Sequence, residues 1–188
     1  VSGGFTATIS LLTGFEMAEQ VLVSGIDLPW ITITSVDAEV AIVRSALTTI
    51  FGNAYPAFGV KNGCLPVISA LFDMDTSGTA TSRHGIYAAK FGRVRVDAGC
   101  GVKNAGGIGL YLHDNSYGVA YKAVFTGAGV DGARADRNST LDARDANCGS
   151  AGEYGFRVFN GSHIGALSAT GTLSQTANTQ TANGIIYQ

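Results

Sequence analysis

The chain has 188 residues, 46% of them hydrophobic and only 14% charged, with a formal net charge of −2. That balance gives no electrostatic case for nucleic acid or an anionic membrane surface, and no apolar run approaches the roughly 18–20 residues a membrane helix needs. Glycine is frequent (26) and proline rare (3), which disfavours disorder and favours many tight corners.

Taken in order, residues 5–12 alternate and read as a strand, and residues 15–20 as a short helical turn. Apolar pairs Val21/Val23, Ile31/Ile33 and Val40/Ile42 then recur about ten residues apart, filled with the Val, Ile and Thr that strands prefer. A helix over 38–50 capped by Asp37 is the competing reading, but Val40, Ile42, Val43, Thr48 and Thr49 oppose it. Residues 47–58, with Tyr55-Pro56, read as an irregular connection. Residues 59–75 resume a coil and 76–84 form a polar loop leaving the scaffold, where function commonly resides.

From residue 85 a repeat takes over. Gly85, Gly109, Gly132 and Gly155 each open a turn, spaced by 24, 23 and 23 residues. Gly59 and Gly184 are candidate openers on either side. Inside each turn the offsets hold: Gly92, Ser116, Ser139 and Ser162 share one position; Val94, Gly118, Leu141 and Ile164 another; Val96, Ala120, Ala143 and Ala166 a third. Alternation within a turn has the period of a strand, not a helix. Self-similarity at this period denotes a solenoid, and turns this short suit three strands per coil. The expected fold is all-β, a right-handed parallel β-helix of about seven or eight coils, with coils over 1–172 and a polar excursion plus final strand over 173–188 closing the stack.

The three cysteines do not suggest a disulfide framework. Cys100 and Cys148 lie two coils apart, about 9–10 Å at the strand spacing, too far for a bridge. They read as small buried hydrophobes in a reduced compartment. A first residue of Val within a strand-like opening suggests a piece of a longer chain, whose remainder would carry an attachment module.

Two further stretches, Gly14-Phe15-Glu16-Met17-Ala18-Glu19-Gln20-Val21-Leu22-Val23 with Asp27-Leu28-Pro29-Trp30-Ile31-Thr32-Ile33-Thr34, and Leu173-Ser174-Gln175-Thr176 with Thr181-Ala182-Asn183-Gly184-Ile185-Ile186, together with the coil repeat, resemble the β-helical part of bacteriophage tail fibres and tailspikes. The resemblance implies a homotrimer in the virion tail, assembled in the bacterial cytoplasm. It further implies contact with other tail proteins and binding of bacterial surface polysaccharide. A depolymerase on the same scaffold, or a structural shaft without a ligand, are the alternatives.

Outward positions form columns. One runs Tyr87, Tyr111, Arg134, Arg157; another Lys90, Asp114, Arg137, Asn160; a third Arg93, Tyr117, Thr140, His163; a fourth Asp97, Tyr121, Arg144, Leu167. Neighbours in a column lie one strand spacing apart, so alternating charges can simply stabilise stacking. The functional reading is a sugar-binding face in which aromatic rings stack on pyranoses and polar groups bond hydroxyls. Its candidates are Trp30, Tyr87, Tyr111, Tyr117, Tyr121, Arg134 and Arg157. Glycosidase chemistry needs two carboxylates about 5–10 Å apart. Asp73 with Asp75 is the foremost pair; Asp142 with Asp145 and Asp114 with Asp136 are others. A lyase would draw on His84 with Arg83 or His113 with Arg137. No phosphate loop, metal motif or other cofactor signature is present.

Overall fold

The computed structural model describes residues 4–74, 83–171 and 184–187. The chain winds into a parallel β-solenoid of about seven turns, each turn contributing short strands to three faces. The first turn holds β1 (Ala7–Leu11), β2 (Glu16–Met17) and β3 (Val21–Ser24). The second holds β4 (Ile31–Ser35), β5 (Val40–Ile42) and β6 (Tyr55–Lys61), with a single 3₁₀ turn at Arg44–Ala46. The third holds β7 (Val67–Ser69), β8 (Leu71–Met74) and β9 (Arg83–Ala89), and the fourth β10 (Arg93–Arg95), β11 (Gly101–Lys103) and β12 (Leu110–Leu112). Later turns shrink: β13 (Tyr117–Val119) with β14 (Asp131–Ala135), β15 (Thr140–Asp142) with β16 (Tyr154–Val158), then β17 (His163–Gly165) and β18 (Ile185–Tyr187).

The first face stacks β1, β4 and β7, then continues through the Ile68–Val96 bridge into β10, β13, β15, β17 and β18. The second stacks β2, β5, β8 and β11 and is prolonged by single bridges from Gly101 to Val124, Asn147 and Thr170. The third stacks β3, β6, β9, β12, β14 and β16. Every strand pair is parallel, so each turn satisfies its backbone groups on the turns above and below. The low charge content suits this geometry, because most strands between the two ends of the stack turn residues into a shared core.

That core runs the length of the stack. Phe58 and Phe72 meet edge to face with ring centroids 4.8 Å apart, and Phe125 and Phe156 fill the later turns among Ala133, Ala143 and Ala146. The repeat-opening glycines have a steric reason. A Cβ on Gly85 would lie 2.5 Å from the Gly109 carbonyl oxygen; on Gly109, 2.6 Å from that of Gly132; and on Gly132, 2.7 Å from that of Gly155. The serines at the fixed offset form a buried ladder, in which the Ser116 amide donates to Ser139 Oγ at 3.1 Å and the Ser139 amide to Ser162 Oγ at 3.0 Å.

Three expectations need correction. Residues 15–20 are not a helical turn: Glu16–Met17 pairs with Ala41 and Ile42 as strand β2. Gly59 is not an opener, since it pairs with Tyr87, two residues beyond the Gly85 position. Gly184 immediately precedes Ile185, which pairs with His163 on the first face, so it opens no third-face turn. Residues 47–58 also divide. The part before Tyr55 is a strap laid over the outside of the third face, closed by an antiparallel Phe51–Ala54 bridge, while Tyr55 and Pro56 already belong to β6. Gln20 pins the strap: its Nε2 donates to the Thr49 and Pro56 carbonyls at 3.0 and 2.7 Å, and its Oε1 accepts from the Thr49 amide at 2.8 Å. Of the loop expected over 76–84, Arg83 and His84 instead belong to β9; the remainder of that stretch and the excursion expected over 173–183 lie outside the described residues. The three cysteines are free thiols, with Cys64 and Cys148 buried.

Candidate functional site

The column register holds throughout: Tyr87, Tyr111, Arg134 and Arg157 are consecutive partners on the third face. Their environments nevertheless differ. Tyr87 is only 2% exposed because the strap covers it, Gly52 lying against its ring. Tyr111 is partly buried between Tyr87 and His113, and burial together with the nearby Asp136 pushes its phenol up to about 12. Arg134 bonds the buried Asp131 carboxylate through both Nε and a terminal nitrogen. Arg157 reaches Glu153 at 2.7 Å and stacks 4.7 Å from the rings of Tyr154 and Phe159. These arginines are engaged by their own face.

Two of the acid–base options converge beside this column. His113 is buried with its Nδ1 3.0 Å from Asp114 and its Nε2 3.9 Å from Asp136. Arg137 contacts Asp114 at 3.3 Å, and Asn160 donates to Asp136 at 2.6 Å. His84 takes a different role. Its Nδ1 accepts the Ile108 amide at 2.9 Å, so the ring is neutral, and burial with the Arg134 charge lowers it to about 4. Asp73 is held by Asn104 Nδ2 at 2.6 Å and by Lys103 at 3.6 Å, and Lys103 also binds Glu39 at 2.8 Å, a ladder across three turns. Its proposed companion Asp75 lies outside the described residues. Trp30 is exposed at the corner before β4, and Tyr121 is exposed between Lys122 and Arg144. The candidate aromatics therefore do not gather at one place.

Tyr117 does belong to an open cleft. A depression of about 550 Å³ follows the corner between the third and first faces, lined by Asp27, Asn62, Gly63, Phe91, Arg93, Asn115 and Tyr117. Phe91 and Tyr117 are 67% and 47% exposed. The corner is a pair of left-handed residues in each turn: Lys90-Phe91 (φ 50° and 65°), Asp114-Asn115 (53° and 59°), Arg137-Asn138 (52° and 59°) and Asn160-Gly161 (47° and 74°). Asn and Gly tolerate that conformation, whereas a bulky side chain there is a steric outlier. Phe91 is thus held in a strained backbone and aimed at solvent. Across the cleft, Arg93 and Asp27 form an ion pair at 2.6 Å that arches over Cys64, bridged to both.

A second depression of about 590 Å³ opens at the first turn and is lined almost wholly by apolar groups, among them Ile9, Phe15, Met17, Ile31 and Phe72. It is the end of the core rather than a polar site. Among the described residues no cluster of His, Cys, Asp or Glu is placed to hold a metal ion, and no helix is long and apolar enough to cross a membrane.

Sequence reasoning singled out Tyr117 but missed Phe91, Asp27, Asn62 and Asn115 as its companions. The available signal was the repeat itself: the position occupied by Phe91 carries Asn115, Asn138 and Gly161 in the next turns. No protein-family model, no curated protein and no solved structure matches the chain.

Proposed function

We propose that this chain is a β-helical segment of a bacteriophage tail fibre or tailspike that binds bacterial surface polysaccharide, acting as a homotrimer with other proteins of the virion tail. The observation that carries the binding reading is the Phe91–Tyr117 pair, two exposed rings on a corner whose Phe91 backbone is strained, flanked by the Asn62 and Asn115 amides and the Asp27–Arg93 pair. Such rings stack on the apolar faces of pyranoses while amides and ion-paired groups bond hydroxyls. Support for the phage context comes from the resemblance of residues 14–34 and 173–186. Binding is favoured over cleavage, because Asp27 is the lone carboxylate among the cleft-lining residues, and glycoside hydrolysis needs two.

The test is incubation of the purified chain with capsular and O-antigen polysaccharides from a bacterial panel, reading binding and chain length together. The expected result is binding without shortening. Phe91→Ala and Tyr117→Ala should each weaken it about tenfold, the loss of roughly 1.4 kcal/mol of ring contact. Absence of binding across the panel would favour a structural shaft, and shortened polymer a depolymerase. Light scattering at micromolar concentration tests the trimer.

A further inference from the structure

The cleft's charges cancel. Arg93 and Asp27 are the charged residues of its lining and are paired with each other at 2.6 Å, each remaining about half exposed. The other polar side chains of its lining are uncharged: the Asn62 and Asn115 amides and the Tyr117 hydroxyl. Three cations on its flanks are engaged elsewhere: Arg95 with Asp97 at 3.2 Å, Arg137 with Asp114 at 3.3 Å, and Lys61 over the Phe51 ring at 4.4 Å. Lys90 precedes Phe91 but lies outside the lining.

A carboxylated sugar entering this cleft would meet a guanidinium already neutralised by a carboxylate. The same carboxylate would repel it. A neutral sugar meets the opposite situation. Its hydroxyls can donate to Asp27 and accept from Arg93, and can do both with the amides, so no charge must be stripped of its partner. The aromatic rings supply the apolar contact in either case and do not discriminate.

The cleft also has a direction. Its residues come from successive corners of the stack, Asp27, then Asn62 and Gly63, then Phe91 and Arg93, then Asn115 and Tyr117. Three steps at about 4.8 Å make it roughly 14 Å long, parallel to the stacking axis. Resting on the glycan-binding reading above, we infer that this cleft takes a short run of uncharged pyranose units laid along the solenoid axis, and that the Asp27–Arg93 pair excludes uronates and other carboxylated sugars.

The experiment is calorimetric titration of the intact chain with neutral hexose oligosaccharides of three to six units and with uronate-containing oligosaccharides of equal length. Wild-type protein should bind the best neutral ligand at least tenfold more tightly than the best acidic one. Asp27→Asn should raise acidic affinity at least fivefold by freeing Arg93, while Asp27→Glu, which keeps the pair, should preserve the neutral preference. Asp27 is exposed at a corner, so circular dichroism and melting should show both variants folded. Tighter binding of acidic ligands by wild type, or an unchanged neutral-to-acidic ratio in Asp27→Asn, would overturn the inference and leave glycan binding standing. Failure of both ligand classes, with no binding of whole polysaccharide, would remove the glycan-binding reading and this inference with it.

Discussion

Arg134 stands directly beside Arg157 in the parallel register of β14 and β16. Two guanidinium groups one strand spacing apart repel each other unless a counter-charge intervenes. Asp131, fully buried, supplies it: both Nε and a terminal nitrogen of Arg134 bond its Oδ2, and Arg157 lies 3.8 Å from its Oδ1. Burial pushes the Asp131 carboxyl up, and the two arginines offset that rise only in part. Asp131→Asn keeps the shape but removes the counter-charge of Arg134 and leaves Arg157 with Glu153 alone. It should destabilise the fold by about 3 kcal/mol, as removal of one member of a buried ion pair does. Urea unfolding checks this, and a change below about 1 kcal/mol would mean the arginines find solvent instead.

The opener glycines should respond to substitution by position rather than by type. Gly109→Ala places a methyl against the Gly132 carbonyl and within 2.8 Å of Phe125 Cβ, neither of which can retreat without separating turns. A loss of about 3 kcal/mol or outright misfolding is expected. At Gly165 the same methyl meets only the Leu141 carbonyl at 3.9 Å, an ordinary contact. There the substitution should be neutral or stabilise by about 0.5 kcal/mol through the unfolded chain. Equal melting temperatures for the two variants would contradict the steric account.

This contrast shows what sequence carried and what it hid. The openers Gly85, Gly109 and Gly132, the buried serine ladder and the outward columns were legible because the repeat fixes them locally, turn by turn. The strap was not, because it lies off the repeat and its Gly52 meets Tyr87 of the next turn, far away in sequence. That is why Gly59 was read two residues out of register and Tyr87 as an open ring. The Asp27–Arg93 pair was hidden for the same reason, spanning two turns over Cys64. Phe91 was hidden for another. Nothing in its residue type announces a left-handed corner; only its neighbours Asn115, Asn138 and Gly161 do.

His84 makes the fold pH-dependent. Its folded value, about 4, lies below the ordinary 6.5 because burial, and then the Arg134 charge, penalise the cation. The unfolded chain therefore binds the extra proton first as pH falls. Stability is fully present above about 6.5 and drains away towards 4, by at most about 3 kcal/mol. His84→Gln can still accept the Ile108 amide but does not titrate. Melting temperatures of the two proteins should thus converge on acidification from pH 7 to pH 4. Parallel curves would show that His84 does not titrate in this window.

Phe91 offers the sharpest separation of folding from function. Its φ of 65° places a bulky side chain in the left-handed region, and its ring is two-thirds solvent-exposed, so little packing offsets the strain. Asn occupies the equivalent corner two turns running, at Asn115 and Asn138, both with φ of 59°. Phe91→Asn should therefore stabilise the protein by about 1 kcal/mol, the order of cost for a left-handed L-residue, which corresponds to a rise of about 2–4 °C in melting temperature for a chain of this size. The same substitution removes one wall of the cleft and should weaken polysaccharide binding about tenfold. A residue kept for packing would show the opposite pairing, with stability lost and binding untouched. Differential scanning calorimetry and a binding titration on one preparation of the variant decide between them.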